Sequence, residues 1–381
     1  MGAPRHQRHR CGTAHLERRR YSRRRSSRRW RPARMKQPIA TRIAALWCVV
    51  ISATATLFPA AAQQRSSAGR CIPATLDVAL APGEGISATI SGTFCSPSRP
   101  DVHDVIDILV HGATYDRSYW DSGFDGSRYS YVQRALAAGR ATFAYDRLGI
   151  GKSSPLSSTS VTMYADAYVL HQILQHFHAQ FHEVNLLGHS YGSRIAQLES
   201  AEFNDAARLV LTGSLHAVGP ALTTGELVLR QASRDPQFAG SALDSGWTTT
   251  ASPAGRAPFY DVAGADPREI AYDDAHKSIV SSTEFQQGIA IGRVPADSNI
   301  SNRITRPVLL MSGEEDRLSC GLALDCTDAL AVKANEQPFY THAASLTVVI
   351  VPNTGHDLAL HLSAGASFEA INQWLLQTPV H

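Results

Sequence analysis

The sequence predicts an α/β fold: a mostly parallel sheet with helices on both faces, interrupted by one long insertion. Three observations predict it. Short β-type runs alternate with helix-spaced runs along most of the chain. The β-type runs are apolar nearly throughout, as strands buried on both faces must be. The alternation breaks once, between about residues 215 and 303.

The elements follow in order. Pro73 to Ala81 and Ile86 to Phe94 are β-type runs joined by Pro82-Gly83-Glu84-Gly85, a hairpin signal that predicts an antiparallel edge. Val105 to Val110 reads as a strand, Tyr131 to Ala138 as a helix, and Ala141 to Tyr145 as the next strand. From Val161 to Phe181 apolar residues recur at helical spacing. Val184 to Leu187 is a strand. Gly188-His189-Ser190-Tyr191-Gly192 follows it, and then a helix-like stretch from Ser193 to Ser200. Arg208 to Leu211, Pro307 to Met311 and Leu346 to Val351 are further strands, and Phe368 to Leu376 is the closing helix. Residues 215–303 are mostly helical in tone, with a loop-rich middle from Gly246 to Ala257. Their apolar content is too sparse for a core of their own. They are expected to form a lid over the C-terminal edge of the sheet, with residues 63–214 and 304–381 as the core domain.

The chain has 381 residues, 44% of them apolar, enough for one large α/β domain. Its net charge of +3 hides a split. Residues 1–34 hold 13 Arg against one acid, Glu17; Lys36 and Arg42 add two positive charges, so the part from Gln63 onward carries −11. The Arg/Ser/His-rich residues 1–34 cannot build a core and read as a disordered leader, or as an over-long start preceding Met35. From Met35 come basic residues, an apolar stretch from Ile43 to Phe58, and Pro59-Ala60-Ala61-Ala62. That pattern, residues 35–62, is a secretory signal peptide cleaved after Ala62. The apolar stretch falls short of the ~20 residues of a bilayer span. The mature protein is therefore expected to be secreted or periplasmic, with no stable membrane anchor and no nucleic-acid partner. The sequence leaves its oligomeric state open.

Four cysteines follow the leader: Cys71, Cys95, Cys320 and Cys326. An even count in an exported chain suggests disulfides, with three possible connectivities. Cys71 and Cys95 flank adjacent strands and Cys320 and Cys326 share a loop, so those pairs are expected. No Cys/His cluster suggests zinc. His171, His176, His178 and His182 lie on or just past one helix without a His-Glu-x-x-His set, so no metal is expected. The run from Asp146 to Ser153 resembles part of a phosphate loop, but Asp146 stands where that loop opens with glycine. It reads as a strand-exit loop in which Asp146 and Arg147 pair or cap.

A G-x-S-x-G between a strand and a helix is the nucleophile elbow, a strained turn that exposes its serine. Gly188 and Gly192 give that turn room. Acyl transfer by Ser190 needs a base, an orienting acid and an oxyanion hole. Asp316 lies in the turn just past the strand ending at Met311, with Glu314 and Glu315 as rivals. His356 follows the last strand, with Gly355 before it to free the backbone and His361 as competitor. A neutral imidazole there takes the Ser190 proton and returns it to the leaving group. The N–H groups of Ala113 and Tyr191 are the expected oxyanion donors, with Thr114 as fallback. Trp120 is expected to line the substrate pocket.

Taken together, His111-Gly112, Asp146 to Gly151, the serine pentapeptide, Gly313-Glu314-Glu315-Asp316 and Gly355-His356 resemble the α/β-hydrolase superfamily over about residues 71–381. The resemblance implies an eight-stranded, mostly parallel sheet, a lid after the sixth strand and no cofactor. Serine at the elbow argues against haloalkane dehalogenases and epoxide hydrolases, which carry Asp there. A single Gly112 departs from the Gly-Gly-Gly oxyanion loop of one lipase subgroup, which argues against long-chain lipase activity. The expected function is a secreted serine hydrolase acting on small-molecule carboxylic esters. Two alternatives stay open. One is a proline-releasing aminopeptidase that grips a free amine with lid carboxylates such as Glu226, Asp273 or Asp274. The other is a non-catalytic, ligand-binding member.

Overall fold

The computed structural model describes residues 69–99, 104–251, 254–321 and 323–380. The leader, the signal segment and its cleavage point lie outside the described residues. Eleven strands occur among the latter: β1 (Gly69–Val78), β2 (Ala88–Pro97), β3 (Val105–Val110), β4 (Ala141–Tyr145), β5 (Glu183–His189), β6 (Leu209–Thr212), β7 (Leu229–Gln231), β8 (Trp247–Thr250), β9 (Val280–Ser281), β10 (Val308–Gly313) and β11 (Leu346–Val351). The helices are α1 (Tyr131–Ala137), α2 (Met163–His178), α3 (Tyr191–Glu202), α4 (Pro220–Thr223), α5 (Pro267–His276), α6 (Ser282–Gly292), α7 (Ala329–Glu336) and α8 (Ala364–Gln377).

Eight strands form the main sheet, in the order β1-β2-β4-β3-β5-β6-β10-β11. Only β2 runs against its neighbours, pairing antiparallel with β1 and with β4. The other pairs are parallel. The expected eight-stranded sheet with an antiparallel edge is thus present. Along β3, Ile106, Ile108 and Val110 enter the core shared with α2 and α3, while Leu109 enters the core shared with α1 and α8. Alternate residues of one strand therefore feed two layers, which is why the strands read as continuously apolar. The exception, Asp107, is buried but saturated: it accepts from Arg140 Nε and Tyr131 Oη, each at 2.8 Å, and from Asn185 Nδ2 at 2.9 Å.

Side chains cap the starts of α1, α2, α5, α6 and α7. Ser130 accepts from Gln133 N–H ahead of α1, and Thr162 from Ala165 N–H ahead of α2. The expected α2 was longer by a few residues at each end, since apolar spacing continues past the cap. Helix α7 was not foreseen; at eight residues it is too short to show a period.

The segment between β6 and β10 differs from the expectation of a mostly helical insertion. It holds α4, α5 and α6, several 3₁₀ turns, and a three-stranded antiparallel sheet, β7-β8-β9. Strand β8, Trp247-Thr248-Thr249-Thr250, falls within the stretch read as loop. Its aromatic and β-branched residues suit a pleated surface better than a turn. Buried ion pairs organise this segment: Arg256 with Asp273 at 2.7 Å, and Lys277 with Asp235 at 2.7 Å. That explains its low apolar content.

Cys71 and Cys95 face each other across β1 and β2 and are joined, with Cα atoms 4.0 Å apart. Cys320 and Cys326 are joined within one loop. Among the described residues no helix is long and apolar enough to cross a membrane.

Candidate active site

The chain leaves β3 toward β4 on one side, then returns to place β5 on the other side of β3. Loops that depart in opposite directions open a crevice at the C-terminal ends of these strands. The loop after β3 begins His111-Gly112-Ala113; the turn after β5 carries Ser190.

Ser190 sits between β5 and α3 with φ 53° and ψ −118°. An L-residue adopts such a φ only when its surroundings enforce it. Here the glycines allow it. A Cβ on Gly188 would lie 2.6 Å from Gly192 O, and one on Gly192 would lie 2.4 Å from Val110 O. Ser190 N–H donates to Thr212 O at 2.7 Å, tying the turn to β6.

Three side chains expected from the sequence meet here. His356 Nε2 lies 2.7 Å from Ser190 Oγ. His356 Nδ1 lies 3.0 and 3.1 Å from the two oxygens of Asp316. Asp316 also accepts from Leu318 N–H at 3.0 Å and from Ser312 Oγ at 3.1 Å. Burial favours the neutral carboxyl, but the His356 charge and these hydrogen bonds outweigh it and lower the Asp316 pKa. Burial likewise opposes a charged His356 ring, yet Asp316 and then Asp357 raise its pKa above the ordinary value. Of the competitors, Glu314 Oε2 receives Asn353 N–H at 3.3 Å. The His361 ring receives the N–H groups of Asp261 and Gly355, each at 3.0 Å.

Ala113 is half-buried in the loop beside the elbow. Tyr191 is the first residue of α3, so its N–H has no acceptor within the helix. The loop holding Ala113 is pinned by His111, whose Nδ1 donates to Gly112 O at 2.9 Å while Nε2 accepts from Arg147 N–H at 3.2 Å. That pattern needs a neutral ring, and burial together with Arg147 pushes the His111 pKa well below its usual value.

Trp120 does not line the crevice. It is buried in the core, edge-on to Tyr119 and Tyr131 at 5.3 and 5.6 Å. The loop folds inward over an aromatic cluster, and the ring goes with it. Asp146 and Arg147 do not pair with each other. Asp146 accepts from Arg117 and from Lys152 N–H, while Arg147 is buried between Asp166, at 2.9 Å, and Glu284, at 3.1 Å. His171 meets Asp205 at 2.5 Å, His176 meets Gln180 and His178 meets Asp205 O.

No sequence pattern signalled the polar cluster behind His356. His189 stacks on Tyr119 at 4.1 Å, and its Nε2 lies 3.1 Å from Asp357, which also receives Tyr115 Oη. Burial lowers the His189 pKa and raises that of Asp357. A cavity of about 110 Å³ reaches Ser190 and His356. Its far wall comes from α6, with Phe285 and Ile289, which apolar spacing within the insertion could have flagged.

A doubly covered parallel sheet with a strained serine between β5 and α3 defines the α/β hydrolases as a class. The chain belongs to the Alpha/beta hydrolase family, whose sequence profile matches residues 108–371. No curated protein sequence matches it. Among solved structures it is similar to a highly thermostable carboxyl esterase from Bacillus coagulans in complex with glycerol: 14% identity, 80% of this chain and 98% of that one, TM-score 0.53. It is similar to a soluble variant of monoglyceride lipase from Saccharomyces cerevisiae in complex with a substrate analog: 16% identity, 79% and 95% coverage, TM-score 0.51. DcsB in complex with its substrate analogue is a further likeness, at 15% identity, 81% and 99% coverage, TM-score 0.53. At such identities these likenesses speak for the fold.

Proposed function

We propose that the protein is an exported serine hydrolase that cleaves small carboxylic esters. The observation that carries this reading is the 2.7 Å contact of Ser190 Oγ with His356 Nε2, while Asp316 holds Nδ1 of the same ring. In this reading Ser190 attacks the ester carbonyl and His356 accepts its proton. Asp316 fixes the tautomer that leaves Nε2 free to accept, and stabilises the imidazolium. The Ala113 and Tyr191 N–H groups receive the oxyanion. His356 returns the proton to the departing alcohol, then activates water to release the acyl group from Ser190.

Residues 215–303 act as the lid and residues 63–214 and 304–381 as the core. Export through the signal segment 35–62 is supported by two disulfides, which persist in oxidising compartments. The aminopeptidase alternative has less support. Asp273 is held by Arg256 Nε and Nη2, each at 2.7 Å, and by Tyr260 Oη at 2.7 Å; Glu226 is held by Arg317 at 2.7 Å. Neither carboxylate is left to grip an amine.

The test is labelling with a fluorophosphonate probe and turnover of 4-nitrophenyl esters of graded chain length. Ser190 should take the label. S190A should lose it and about 10⁶-fold in kcat. Folded protein that neither labels nor cleaves any ester overturns the proposal, as does preferential cleavage of proline anilides.

A further inference from the structure

Arg194 lies in the first turn of α3, four residues after Ser190, and both residues line one cavity. The cavity also reaches His356, and Arg293 at the C-terminal end of α6 lines it as well. No Asp or Glu among the described residues lines this cavity. Among the described residues, neither guanidinium has a carboxylate partner. Neutral acceptors hold Arg194 instead: Nη1 donates to Gln197 Oε1 at 3.0 Å and Nη2 to Leu215 O at 2.7 Å. Glu336 is the acid whose charge reaches Arg194, but its oxygens are engaged by the His216 N–H and ring, each at 2.7 Å, and by Asn335. Burial pulls the Arg194 pKa down, as expected of a cation without a counter-ion.

A guanidinium fixed in position, partly buried and without a counter-ion beside a nucleophile leaves an electrostatic deficit that a bound anion reduces. The other walls are apolar: Leu215, Val218, Leu222, Phe285, Ile289 and Leu318. The space of about 110 Å³ is less than the ~150 Å³ cavity that binds benzene, so it suits a chain of a few carbons. The acyl part stays on Ser190 after the alcohol leaves, and this cavity is contiguous with Ser190.

Resting on the serine-hydrolase reading above, we infer that the preferred substrates are esters whose short acyl chain ends in a carboxylate. Arg194 is the main specificity-determining residue and Arg293 a second, more exposed one. Hydrolysis of such a half-ester consumes one water and releases an alcohol, a dicarboxylate and one proton.

The test compares mono-4-nitrophenyl glutarate with 4-nitrophenyl valerate, which match in acyl length and differ in charge. kcat/KM should be at least about tenfold higher for the glutarate ester, with the difference in KM, as a charge-assisted hydrogen bond gives. R194M should lower that anionic-to-neutral ratio about tenfold through KM, and R293M should lower it less. A ratio near one in the unaltered protein, or an unchanged ratio in folded R194M, overturns the inference. Should R194M not fold, competitive inhibition of valerate ester cleavage decides: glutarate must inhibit at least about tenfold better than butyrate, and equal inhibition overturns the inference. The two readings fail separately. Label on Ser190 with valerate ester cleavage but no charge preference removes only this inference. No label and no cleavage removes the hydrolase reading, and calorimetric binding of glutarate, present or absent, then decides the anion site alone.

Discussion

Asp316 acts on His356 in two ways. It holds the ring by Nδ1 at 3.0 Å, and its charge raises the ring's pKa against the effect of burial. General-base work needs the neutral ring, so the rate should climb with pH through the His356 pKa and level off above it. In D316N the raising charge is gone and burial prevails. The acid limb of the pH profile of kcat/KM should move to lower pH, and kcat should fall about 10⁴-fold. An unmoved acid limb would assign it to another group. Glu269 offers a test of the opposite kind. It is buried on α5 with one oxygen on Ser122 Oγ at 3.1 Å and the other unpartnered. Burial raises its pKa from 4.5 to about 8. A folded-state pKa above the unfolded one means that the protonated form is favoured by folding. This contribution is complete below pH 4.5 and is lost as pH rises toward about 8. E269Q should therefore match the parent in stability near pH 4.5 and exceed it at pH 8, measured by urea unfolding at both values.

At the scale of elements, the antiparallel edge is the most exposed part of the sheet. Strand β1 pairs with one strand only, and most of its residues are exposed or half-buried. The Cys71–Cys95 bond closes a loop spanning a sequence separation of 24. Replacing both cysteines by serine should cost roughly 3 kcal/mol by the loop-entropy argument. Early hydrogen exchange should then appear in β1 and β2 and spare β3 to β11. This edge, the parallel strands and the serine elbow were legible in the sequence because local signals encode them: a Pro-Gly turn, unbroken apolar runs, two glycines around a serine. Strand β8 and helix α7 were not legible. One was hidden among turn-like neighbours, and the other was too short for its period to show. Gly355 carried a misleading signal. It has no left-handed φ; a Cβ there would lie 2.5 Å from Asp261 N, so it makes room for the insertion to pack.

On the scale of the whole molecule, the insertion is bound to the sheet by buried charge. Arg147, on the loop after β4, reaches Glu284 on α6 and Asp166 on α2, and its guanidinium stacks over the Tyr191 ring at 4.9 Å. One cation thus connects the insertion, the core and the residue that follows the serine. E284A leaves Arg147 short of one partner in a dry site and should cost about 3 kcal/mol. Unfolding followed by tryptophan fluorescence and by circular dichroism should remain one coincident transition. Separate transitions would mean that the insertion is a domain of its own. The sequence by itself determined the chain order of the eight main-sheet strands and pointed to Ser190, Asp316 and His356, whose side chains lie within hydrogen-bond reach of one another, because strand-end positions and turn chemistry are local properties. Only the tertiary structure decided that Trp120 is core, that Asp273 is taken by Arg256, and that Arg194 and Arg293 face an acid-free cavity. Pairing of charges and the shape of an enclosed space depend on which distant segments come into contact, and no local pattern of residues carries that information.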